Sequence, residues 1–386
     1  MKNPEYVIVG AGPVGLVFSL LLAKQNQNSH LLELRKKNDT HFDKRTLALS
    51  YGTKLILESL GVWNSLENKV TEITDIHTSQ KNSFGRTILS ANEYSLPVLG
   101  YVISYGDLSK ALEERVNESH VSKITYEFEV AAIKNEKNRS VLYGRDRDES
   151  INTSLLVFAD GGKNTTGLIE GLKKKETSYN HSALVTNVTA EIPPKKVAYE
   201  RFTSMGPIAL LPNGLKEFSL VWTGDDKEIQ ALAKIQKNSF LEKLYEHFGD
   251  RVGKFFDCDK LITFPLKKIV LEDFPKKSII IIGNSAQTMH PVAGQGFNTG
   301  IRDAYELSKL INQSESSQVG SEVFVNQYYE SRKLETRKTI FFTDSLVNIF
   351  SNDLIGLSFG RSISLSLLDN FKPIKKFLVS RMSFGK

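Results

Sequence analysis

The sequence predicts an α/β protein in which a Rossmann-like dinucleotide-binding domain is interrupted by an antiparallel β-rich domain and followed by C-terminal helices. Three observations lead to this fold class. The glycine-rich turn GAGPVG joins an apolar strand to an apolar helix near the amino terminus. Residues 180–270 contain β-branched and aromatic runs of strand length. A buried strand of the parallel type, SIIIIGN, then returns near residue 279.

Length and composition fit a soluble protein of more than one domain. The chain has 386 residues, 40% of them hydrophobic and 24% charged. No apolar run reaches the roughly 18 residues of a membrane span, and the amino terminus lacks a signal-peptide pattern, so we expect a cytoplasmic protein. A single cysteine, Cys258, excludes an internal disulfide or dithiol chemistry within one chain.

The charge pattern favours anionic small molecules over nucleic acid. The formal net charge is +6, which suits anionic cofactors or anionic lipid headgroups. Basic residues are spread along the chain without an Arg-rich arm, so we expect no nucleic-acid partner. His41 has no second histidine at ligand spacing, and we expect no metal site.

The amino-terminal unit reads as strand, glycine turn, helix and strand. Val7 to Val9 form the first strand, and Leu16 to Lys24 form a helix that is apolar nearly all round. Gly10, Gly12 and Gly15 match G-x-G-x-x-G, which permits a tight turn, close approach of a pyrophosphate and close packing of helix on strand. Phosphates then lie at a helix amino terminus. Glu33, eighteen residues after Gly15, is placed to accept hydrogen bonds from a ribose.

Later segments complete the nucleotide domain and define the insertion. A helix is predicted over about residues 50 to 60, a short buried strand stops at Asp160, and LEKLYEHFGDRVGKFF is predicted to be helical. After Arg302 the pattern is helical to the end. We expect a nucleotide domain from residues 1–70, 97–179 and 271–312, a β-rich substrate domain from 71–96 and 180–270, and a helical region over 313–386.

The stretch IIIIGNSAQTMHPVAGQGFNTGIRDA places a second ligand contact at the edge of the sheet. Gly283 and Asn284 end a buried strand, where a ligand of an open parallel sheet is expected. The GQGFN segment precedes a helix, so its unpaired N–H groups can point at a ring that becomes negative on reduction. At the first unit alone, both NAD and FAD remain open as the dinucleotide.

Taken together, these motifs resemble a known family. GAGPVG with Glu33, RTLALS at 45–50, ADG at 159–161 and GNSAQTMHPVAGQGFNTGIRDA are similar to the FAD-dependent aromatic hydroxylases related to para-hydroxybenzoate hydroxylase. Within them the chain looks most like the ubiquinone-biosynthesis hydroxylases, over nearly its whole length. The resemblance implies FAD as cofactor and NAD(P)H and O2 as co-substrates.

The resemblance also assigns the FAD-binding residues. The adenosine diphosphate half would lie against the first unit, Arg45 would reach the flavin side, and Asp160 would order the turn near the pyrophosphate. Asn284 would meet the ribityl hydroxyls, and the loop after it would line the isoalloxazine. The full implied set is Gly10, Gly12, Pro13, Val14, Gly15, Glu33, Leu34, Arg35, Arg45, Asp160, Gly283, Asn284, Pro291, Gly294, Gln295, Gly296, Phe297 and Asn298.

The implied reaction is hydroxylation, through a flavin hydroperoxide, of the ring of a polyprenylated methoxyphenol in ubiquinone biosynthesis. The flavin carries the chemistry, and His290, beside the loop, is a candidate proton acceptor. In the β-rich insertion, the candidate substrate contacts are Arg201, Phe202, Pro212 and Trp222. Three alternatives stay open: hydroxylation at another ring position of the pathway, an FAD-dependent reductase of an isoprenoid, and a non-catalytic subunit.

The carboxyl-terminal segment DNFKPIKKFLVSRMSFGK combines lysines and arginine with phenylalanines and leucine. This composition suits docking at a lipid surface, at the inner face of the membrane, toward a lipid-borne substrate. Packing of the same helix on its own domain is equally compatible with the pattern. A ubiquinone-biosynthesis complex is a further partner that the resemblance implies.

Overall fold

The computed structural model describes residues 5–81, 85–136, 139–145, 150–162, 165–275, 277–350 and 370–385. The strands in chain order are β1 Tyr6–Val9, β2 Ser29–Leu32, β3 Thr46–Ser50, β4 Thr71–Ile73, β5 Asp75–Gln80, β6 Arg86–Ser90, β7 Gly100–Ser104, β8 Ser122–Thr125, β9 Val130–Glu136, β10 Arg139–Gly144, β11 Ser150–Thr153, β12 Leu155–Phe158, β13 Lys174–Ala190, β14 Val197–Thr203, β15 Gly206–Asn213, β16 Glu217–Asp225, β17 Phe255–Cys258, β18 Ile262–Leu271, β19 Ile279–Ile281 and β20 Gln287–Thr288. The helices are α1 Pro13–Ala23, α2 Tyr51–Ser59, α3 Tyr105–Asn117, α4 Asp226–Leu232, α5 Lys237–Phe248, α6 Gln295–Gln313, α7 Glu322–Phe350 and α8 Lys372–Phe384.

A parallel sheet forms the centre of the nucleotide-binding part. Its order is β19-β12-β1-β2-β8, and every neighbouring pair is parallel. The residues of β1, β12 and β19 are all buried, as expected for strands covered on both faces. The predicted Rossmann-like arrangement is confirmed, and α1 begins at Pro13, three residues before the predicted start.

The β-rich part is a nine-stranded sheet with the order β20-β18-β13-β16-β15-β14-β5-β6, to which β17 adds beside β13. Most pairs are antiparallel, as the sequence predicts, whereas β14 and β5 run parallel. A second hydrophobic cluster fills the space between this sheet and α5, and Trp222 and Phe240 are among its buried residues. The helix predicted over LEKLYEHFGDRVGKFF ends at Phe248, because Gly249 takes a φ of 55°, and Phe255 and Phe256 belong to β17.

Two small sheets complete the fold: β3-β7-β4 is antiparallel throughout, and so is β11-β10-β9. The strands β5 and β6, from residues 75–90, add to the edge of the β-rich sheet rather than to the parallel one. The sheet membership of the strands supports the division into domains that we propose from the sequence. The long strand β13 starts at Lys174, six residues before the expected start of the β-rich domain at residue 180.

The carboxyl-terminal part is helical, as predicted, in α6, α7 and α8, and the expectation for residues 351–369 lies outside the described residues. α6 packs against α1, and α8 packs against α2. Across the described ranges, every helix is too short or too polar to cross a lipid bilayer.

Candidate active site

The glycine turn brings β1 and α1 into close contact. Gly10 has a φ of 104°, and a Cβ atom there would lie 2.7 Å from the carbonyl oxygen of Ala159. A Cβ on Gly15 would overlap the carbonyl oxygen of Gly10. Both positions therefore require glycine for steric reasons, and together they hold the amino end of α1 against the carboxyl ends of β1 and β12.

The amino end of α1 is available to an anion. Its N-cap, Gly12, has no side chain to accept from the first N–H groups, and the first turn carries no acidic residue. Gly12, Pro13 and Val14 line a cleft at this end of the helix. Free N–H groups and the helix dipole favour a phosphate at this point.

Glu33 closes the other side of the turn. Its carboxylate accepts a hydrogen bond from the backbone N–H of Ala11 at 2.7 Å and from the backbone N–H of Arg35 at 2.9 Å. Burial alone would raise the pKa of Glu33, but the hydrogen bonds and charge of Arg35 and the Ala11 N–H hold it below its ordinary value. The buried carboxylate therefore stays ionised at neutral pH, which suits it to accept from ribose hydroxyls.

Asp160 ties together the ends of two strands. Its Oδ1 accepts from the backbone N–H of Gly162 at 3.0 Å and from the hydroxyl of Ser285 at 2.6 Å. Ser285 follows β19, so the two bonds fix the turn after β12 against the turn after β19. The carboxylate thereby shapes the backbone on which a pyrophosphate would lie.

Arg45 lines the same cleft as Glu33. Its Nε donates to Asp43 at 2.9 Å, and its guanidinium carbon lies 5.7 Å from the ring centre of Tyr105 and 5.5 Å from that of Phe264. These contacts hold a positive charge along the cleft wall.

The segment of residues 283–298, here called the glycine loop, begins at the end of β19 and ends in the first turn of α6. Gly283 has a φ of 61°, and its N–H donates to Oδ2 of Asp303 at 3.1 Å. Ala293 and Gly294 follow each other in the left-handed region, with φ values of 58° and 59°. Gly294 is the N-cap of α6 and provides no capping side chain, so the N–H groups of that helix end remain available.

Asn298 fixes the glycine loop to the segment that joins β3 to α2. Its amide oxygen accepts from the backbone N–H of Ser50 at 2.8 Å and from the hydroxyl of Thr53 at 2.7 Å. Its amide nitrogen donates to the carbonyl oxygens of Ala48 at 2.9 Å and Gly294 at 2.8 Å. All four bonds are internal, so the side chain positions the loop.

The nucleotide cleft connects these groups and encloses about 640 Å³. It runs from Glu33 and the amino end of α1, past Asp160, to the glycine loop. Its lining includes the implied residues Gly10, Gly12, Pro13, Val14, Glu33, Leu34, Arg35, Arg45, Asp160, Asn284, Gly296 and Phe297. An acidic acceptor at one end, two open helix amino termini and an exposed amide between them fit the ribose, pyrophosphate and ribityl parts of FAD.

A second cavity of about 380 Å³ lies on the other side of the glycine loop, and we call it the substrate cavity. Its walls come from β3, from the β-rich sheet and from α8, and they are mainly apolar. They include Ile73, Ile76, Leu89, Leu99, Leu211, Val221, Val379 and Met382, and on the loop side Pro291, Gly294, Gln295 and Asn298. Four residues, Leu47, Asn284, Gly296 and Phe297, line both cavities.

Glu200 is a residue of this cavity that the sequence analysis did not single out. Its carboxylate lies near the backbone N–H of Ala293 in the glycine loop. Burial raises the pKa of Glu200 from 4.5 to about 7, and the Ala293 N–H acts in the opposite direction with a smaller effect. The only sequence signal is a glutamate beside an arginine in the strand VAYERFT, and alternation alone does not place it in a cavity.

The side chain of His290, a residue of the glycine loop, packs beneath the loop backbone and belongs to neither cavity lining. The ring is fully buried, its Nδ1 accepts from the N–H of Val292 at 3.3 Å, and its edge meets the ring of Tyr179 with 5.4 Å between centres. Burial, with a smaller contribution from His181, lowers the pKa of His290 to about 4. The imidazole is therefore neutral at pH 7 and packs under the loop.

The four candidates in the β-rich sheet also lie outside the lining of the substrate cavity. Neighbours paired across strands share a face, and the row Glu200, Ala209 and Val221 faces the cavity. The adjacent row of Arg201, Ile208 and Trp222 faces the opposite side, toward α5. Pro212, paired with Phe218, belongs to that opposite face, and Phe202 packs behind Val292 of the loop.

A buried charge cluster supports the loop from behind. Asp303 on α6 accepts from the side-chain nitrogen of Gln287 at 2.9 Å and from Nε of Arg332 at 2.8 Å. Arg332 is 5% exposed and also contacts Glu335. Asp303 belongs to the RDA sequence in α6, but the sequence gives no indication that its partner lies 29 residues away on another helix.

Comparison with known proteins gives a family match and full-length relatives. The family model described as "FAD binding domain" matches residues 4–343. The Escherichia coli K12 protein named 3-demethoxyubiquinol 3-hydroxylase is 26% identical over 385 residues, which cover 96% of this chain and 96% of that protein. Ubiquinone hydroxylase UbiL of Rhodospirillum rubrum is 24% identical over 383 residues, covering 98% of this chain and 89% of that protein.

Solved structures share the fold. A crystal structure of PqsL from Pseudomonas aeruginosa in complex with 2-aminobenzoylacetate superposes with a TM-score of 0.79 at 16% identity, covering 94% of this chain and 100% of that chain. p-Nitrophenol 4-monooxygenase PnpA from Pseudomonas putida gives a TM-score of 0.78 at 14% identity, covering 99% of this chain and 97% of that one.

Proposed function

Because this chain belongs to the FAD-binding-domain family and is a flavin-dependent hydroxylase, we propose that it hydroxylates the ring of a polyprenylated methoxyphenol in ubiquinone biosynthesis. The observation that carries the proposal is the apolar substrate cavity, which shares one wall with the nucleotide cleft. A flat phenol in this cavity would meet a flavin at that shared wall. The names of the full-length relatives support the same pathway.

The cavity suits a lipophilic phenol better than a charged small acid. Its lining is mainly aliphatic, and Glu200 is the one carboxylate among the described residues that form it. An anionic substrate would lie against this carboxylate without a Lys or Arg in the lining to balance its charge. A neutral phenol with an isoprenoid tail buries apolar surface there instead.

Bound FAD would supply the electron transfer and oxygen activation. The overall balance is one phenol, one O2, one NAD(P)H and one proton giving the hydroxylated phenol, NAD(P)⁺ and water. NAD(P)H is the proposed electron donor.

The protein's own residues hold the flavin and the ring. Glu33 and the amino end of α1 would bind the adenosine ribose and the phosphates. Asn284 would accept from ribityl hydroxyls, and Gly296 and Phe297 would lie against the ring system. The N–H groups at the amino end of α6 would face the part of the ring that gains negative charge on reduction.

The position of α8 supports contact with a lipid surface. Its inward residues Val379, Met382 and Ser383 line the substrate cavity. Its outward side exposes Phe371 (55%), Ile374 (47%) and Phe377 (57%). Lys372 and Lys376 are exposed on the same helix, which suits anionic headgroups. We propose that the protein docks through this side and takes its substrate from the membrane, alone or within a ubiquinone-biosynthesis complex.

The test combines an activity assay of the purified protein with analysis of quinone intermediates in cells that lack the gene. The FAD-loaded protein should oxidise NAD(P)H faster when a short-chain prenyl methoxyphenol is added and should yield its hydroxylated product. Cells without the gene should accumulate the corresponding polyprenyl methoxyphenol. Accumulation of a later ring intermediate would move the reaction to another position, and substrate reduction without O2 consumption would identify a reductase instead. Unchanged quinone in the cells would contradict the assignment.

A further inference from the structure

We propose that Glu200 is the acid–base residue of this enzyme: its carboxylate accepts the phenol proton of the substrate and returns a proton once oxygen has been added to the ring. This inference rests on the proposed function, because it needs a phenolic substrate. It assigns the proton transfer to the substrate cavity and not to His290, which packs beneath the glycine loop.

The strand register aims Glu200 into the substrate cavity. On β14, Ala198 and Glu200 point to the same side, and both line the cavity. Glu200 is paired with Thr78 of β5 on one side and with Ala209 of β15 on the other. Ala209 lines the cavity as well, so Glu200 belongs to the part of the cavity wall that β14 and β15 form together.

The Glu200 carboxylate lies close to the glycine loop. The backbone N–H of Ala293 interacts with it, and Ala293 lines the same cavity with a φ of 58°. A carboxylate has two oxygens and accepts several hydrogen bonds, which leaves capacity for a phenol hydroxyl. The carboxylate is thus fixed next to the loop that lines the wall shared with the nucleotide cleft.

The surroundings of Glu200 contain few charges. Its strand partners Thr78 and Ala209 are uncharged, and α8 presents Val379, Met382 and Ser383 to the cavity. The neighbouring charged and titratable groups on the strands face elsewhere: Arg201 donates to Ser79 at 3.0 Å, and the ring of His77 packs on that of Tyr199 at 5.7 Å. On α8, Arg381 donates to Thr339 and to the carbonyl oxygen of Gly385.

Tyr199, which precedes Glu200 in β14, is also among the residues that line the cavity. Burial raises the pKa of its phenol, so it stays neutral. Burial also gives Glu200 its pKa of about 7, in the absence of a nearby cation among the groups that affect it. A base is most effective when its pKa lies near the working pH. The position of the Glu200 carboxylate in the cavity and its pKa are therefore both suited to proton transfer.

The proton transfers balance. The phenol O–H breaks, its proton goes to Glu200, and the electron pair left on oxygen makes the ring carbon electron-rich. The ring carbon then forms a bond to an oxygen atom that comes from O2, with NAD(P)H supplying the two electrons for the other oxygen atom to become water. The ring C–H proton leaves to solvent as aromaticity returns and offsets one of the protons taken up from solvent in forming water. Protonated Glu200 gives its proton back to the phenolic oxygen.

The first experiment compares Glu200→Gln with the wild-type FAD-loaded protein. Glutamine keeps the shape and can accept from the Ala293 N–H, but it cannot take a proton. We expect FAD content and NAD(P)H-driven flavin reduction to stay within about twofold, and kcat for hydroxylation of a short-chain prenyl methoxyphenol to fall by about 10²-fold or more. The acidic limb of the wild-type pH profile, centred near the pKa of Glu200, should disappear.

The second experiment separates proton transfer from packing. A ring-fluorinated analogue of the same phenol is more acidic and depends less on a base. The change from the plain phenol to this analogue should therefore increase the activity of Glu200→Gln more than it increases that of the wild type. Glu200→Asp, which keeps the acid, should retain the pH limb. Glu217→Gln, an exposed carboxylate on β16, is the matched control and should behave as wild type.

The outcomes distinguish this inference from the function on which it rests. Hydroxylation by Glu200→Gln at the wild-type rate, or with an unchanged pH limb, would overturn the role of Glu200 and leave the proposed function standing. If Glu200→Gln failed to fold, Glu200→Asp would provide the test. Loss of the acidic pH limb in Glu200→Asp would also overturn the role of Glu200. A wild-type protein that hydroxylates no prenyl phenol would overturn the proposed function and this inference with it.

Discussion

The side-chain carboxylate of Asp303 accepts a hydrogen bond at 3.1 Å from the backbone N–H of Gly283, twenty residues earlier. Gly283 starts the glycine loop, and Asp303 also pairs with Arg332 on α7. The conformation of the loop therefore depends on a buried ion pair that touches neither cavity lining.

Replacement of Asp303 by Asn should destabilise the protein by about 3 kcal/mol, because it leaves the Arg332 charge buried with only Glu335 nearby. Urea denaturation monitored by circular dichroism measures this change. Glu58→Gln, which breaks the exposed Lys54–Glu58 pair on α2, is the matched control and should cost less than about 1 kcal/mol. Equal effects of the two variants would argue against a supporting role for Asp303.

Asn298→Asp should weaken FAD binding by about tenfold or more. The change removes both donors of the amide and places an oxygen against the carbonyl oxygens of Ala48 and Gly294, at a net cost near 1 kcal/mol per lost bond. Flavin fluorescence during dialysis reports the dissociation constant. Asn64→Asp makes the same chemical change at an exposed position and should retain FAD. Wild-type affinity in Asn298→Asp would show that these bonds do not hold the loop.

Asn284→Asp should retain FAD and modestly lower the flavin reduction potential. A carboxylate accepts from ribityl hydroxyls as an amide oxygen does, but it adds negative charge near a ring that becomes anionic on reduction. Spectroelectrochemical titration of the variant and wild type gives the two potentials. Loss of FAD, or a raised potential, would place Asn284 elsewhere than at the ribityl chain.

Stability of the wild type relative to Glu200→Gln should fall as pH rises from about 5 to about 8. The pKa of Glu200 is raised from 4.5 to about 7 in the folded protein, so in this window the folded state binds more protons than the unfolded state. Stability then decreases with increasing pH, and the glutamine variant lacks this contribution. Thermal midpoints of both proteins across the window measure the difference. A gap that stays constant would contradict the raised pKa.

Phe377→Ser on the outward side of α8 should reduce binding to vesicles containing anionic lipid by about tenfold. Turnover of a long-chain substrate in the same vesicles should fall in parallel, whereas turnover of a short-chain analogue in solution should not change. Phe256→Ser is the control, since Phe256 is 61% exposed on β17, compared with 57% for Phe377. Equal vesicle binding by wild type and Phe377→Ser would exclude docking through this side.

The parts that the sequence predicts well are those encoded by local patterns. GAGPVG, with an apolar strand before it and Glu33 after it, specifies one turn, one helix end and one acceptor, and strand alternation identifies the β-rich insertion. The orientation of individual side chains in that insertion depends on register. A shift of one residue exchanges the two faces of a strand, so Trp222 faces α5 while its neighbours Val221 and Thr223 line the cavity.

Long-range polar contacts account for what the sequence analysis missed. Glu200 and Ala293 are far apart in the chain, and Asp303 meets Arg332 from another helix. The sequence places His290 next to Pro291 and Gly294, which suggests a proton acceptor near the flavin. In the fold, its ring is buried and lines neither cavity, and its role as a proton acceptor stays a prediction.

Leu47, Asn284, Gly296 and Phe297 belong to the linings of both cavities. With the cofactor and the substrate bound as proposed, a change at any of these four positions should affect cofactor retention and substrate choice together, which makes them poor targets for redesign. Residues on the opposite wall, such as Ile73, Leu89 and Leu211, line the substrate cavity alone. Substitutions that adapt the enzyme to new phenols should therefore occur mainly on that wall. A smaller or larger side chain there changes the shape of the cavity without changing the residues proposed to bind the cofactor.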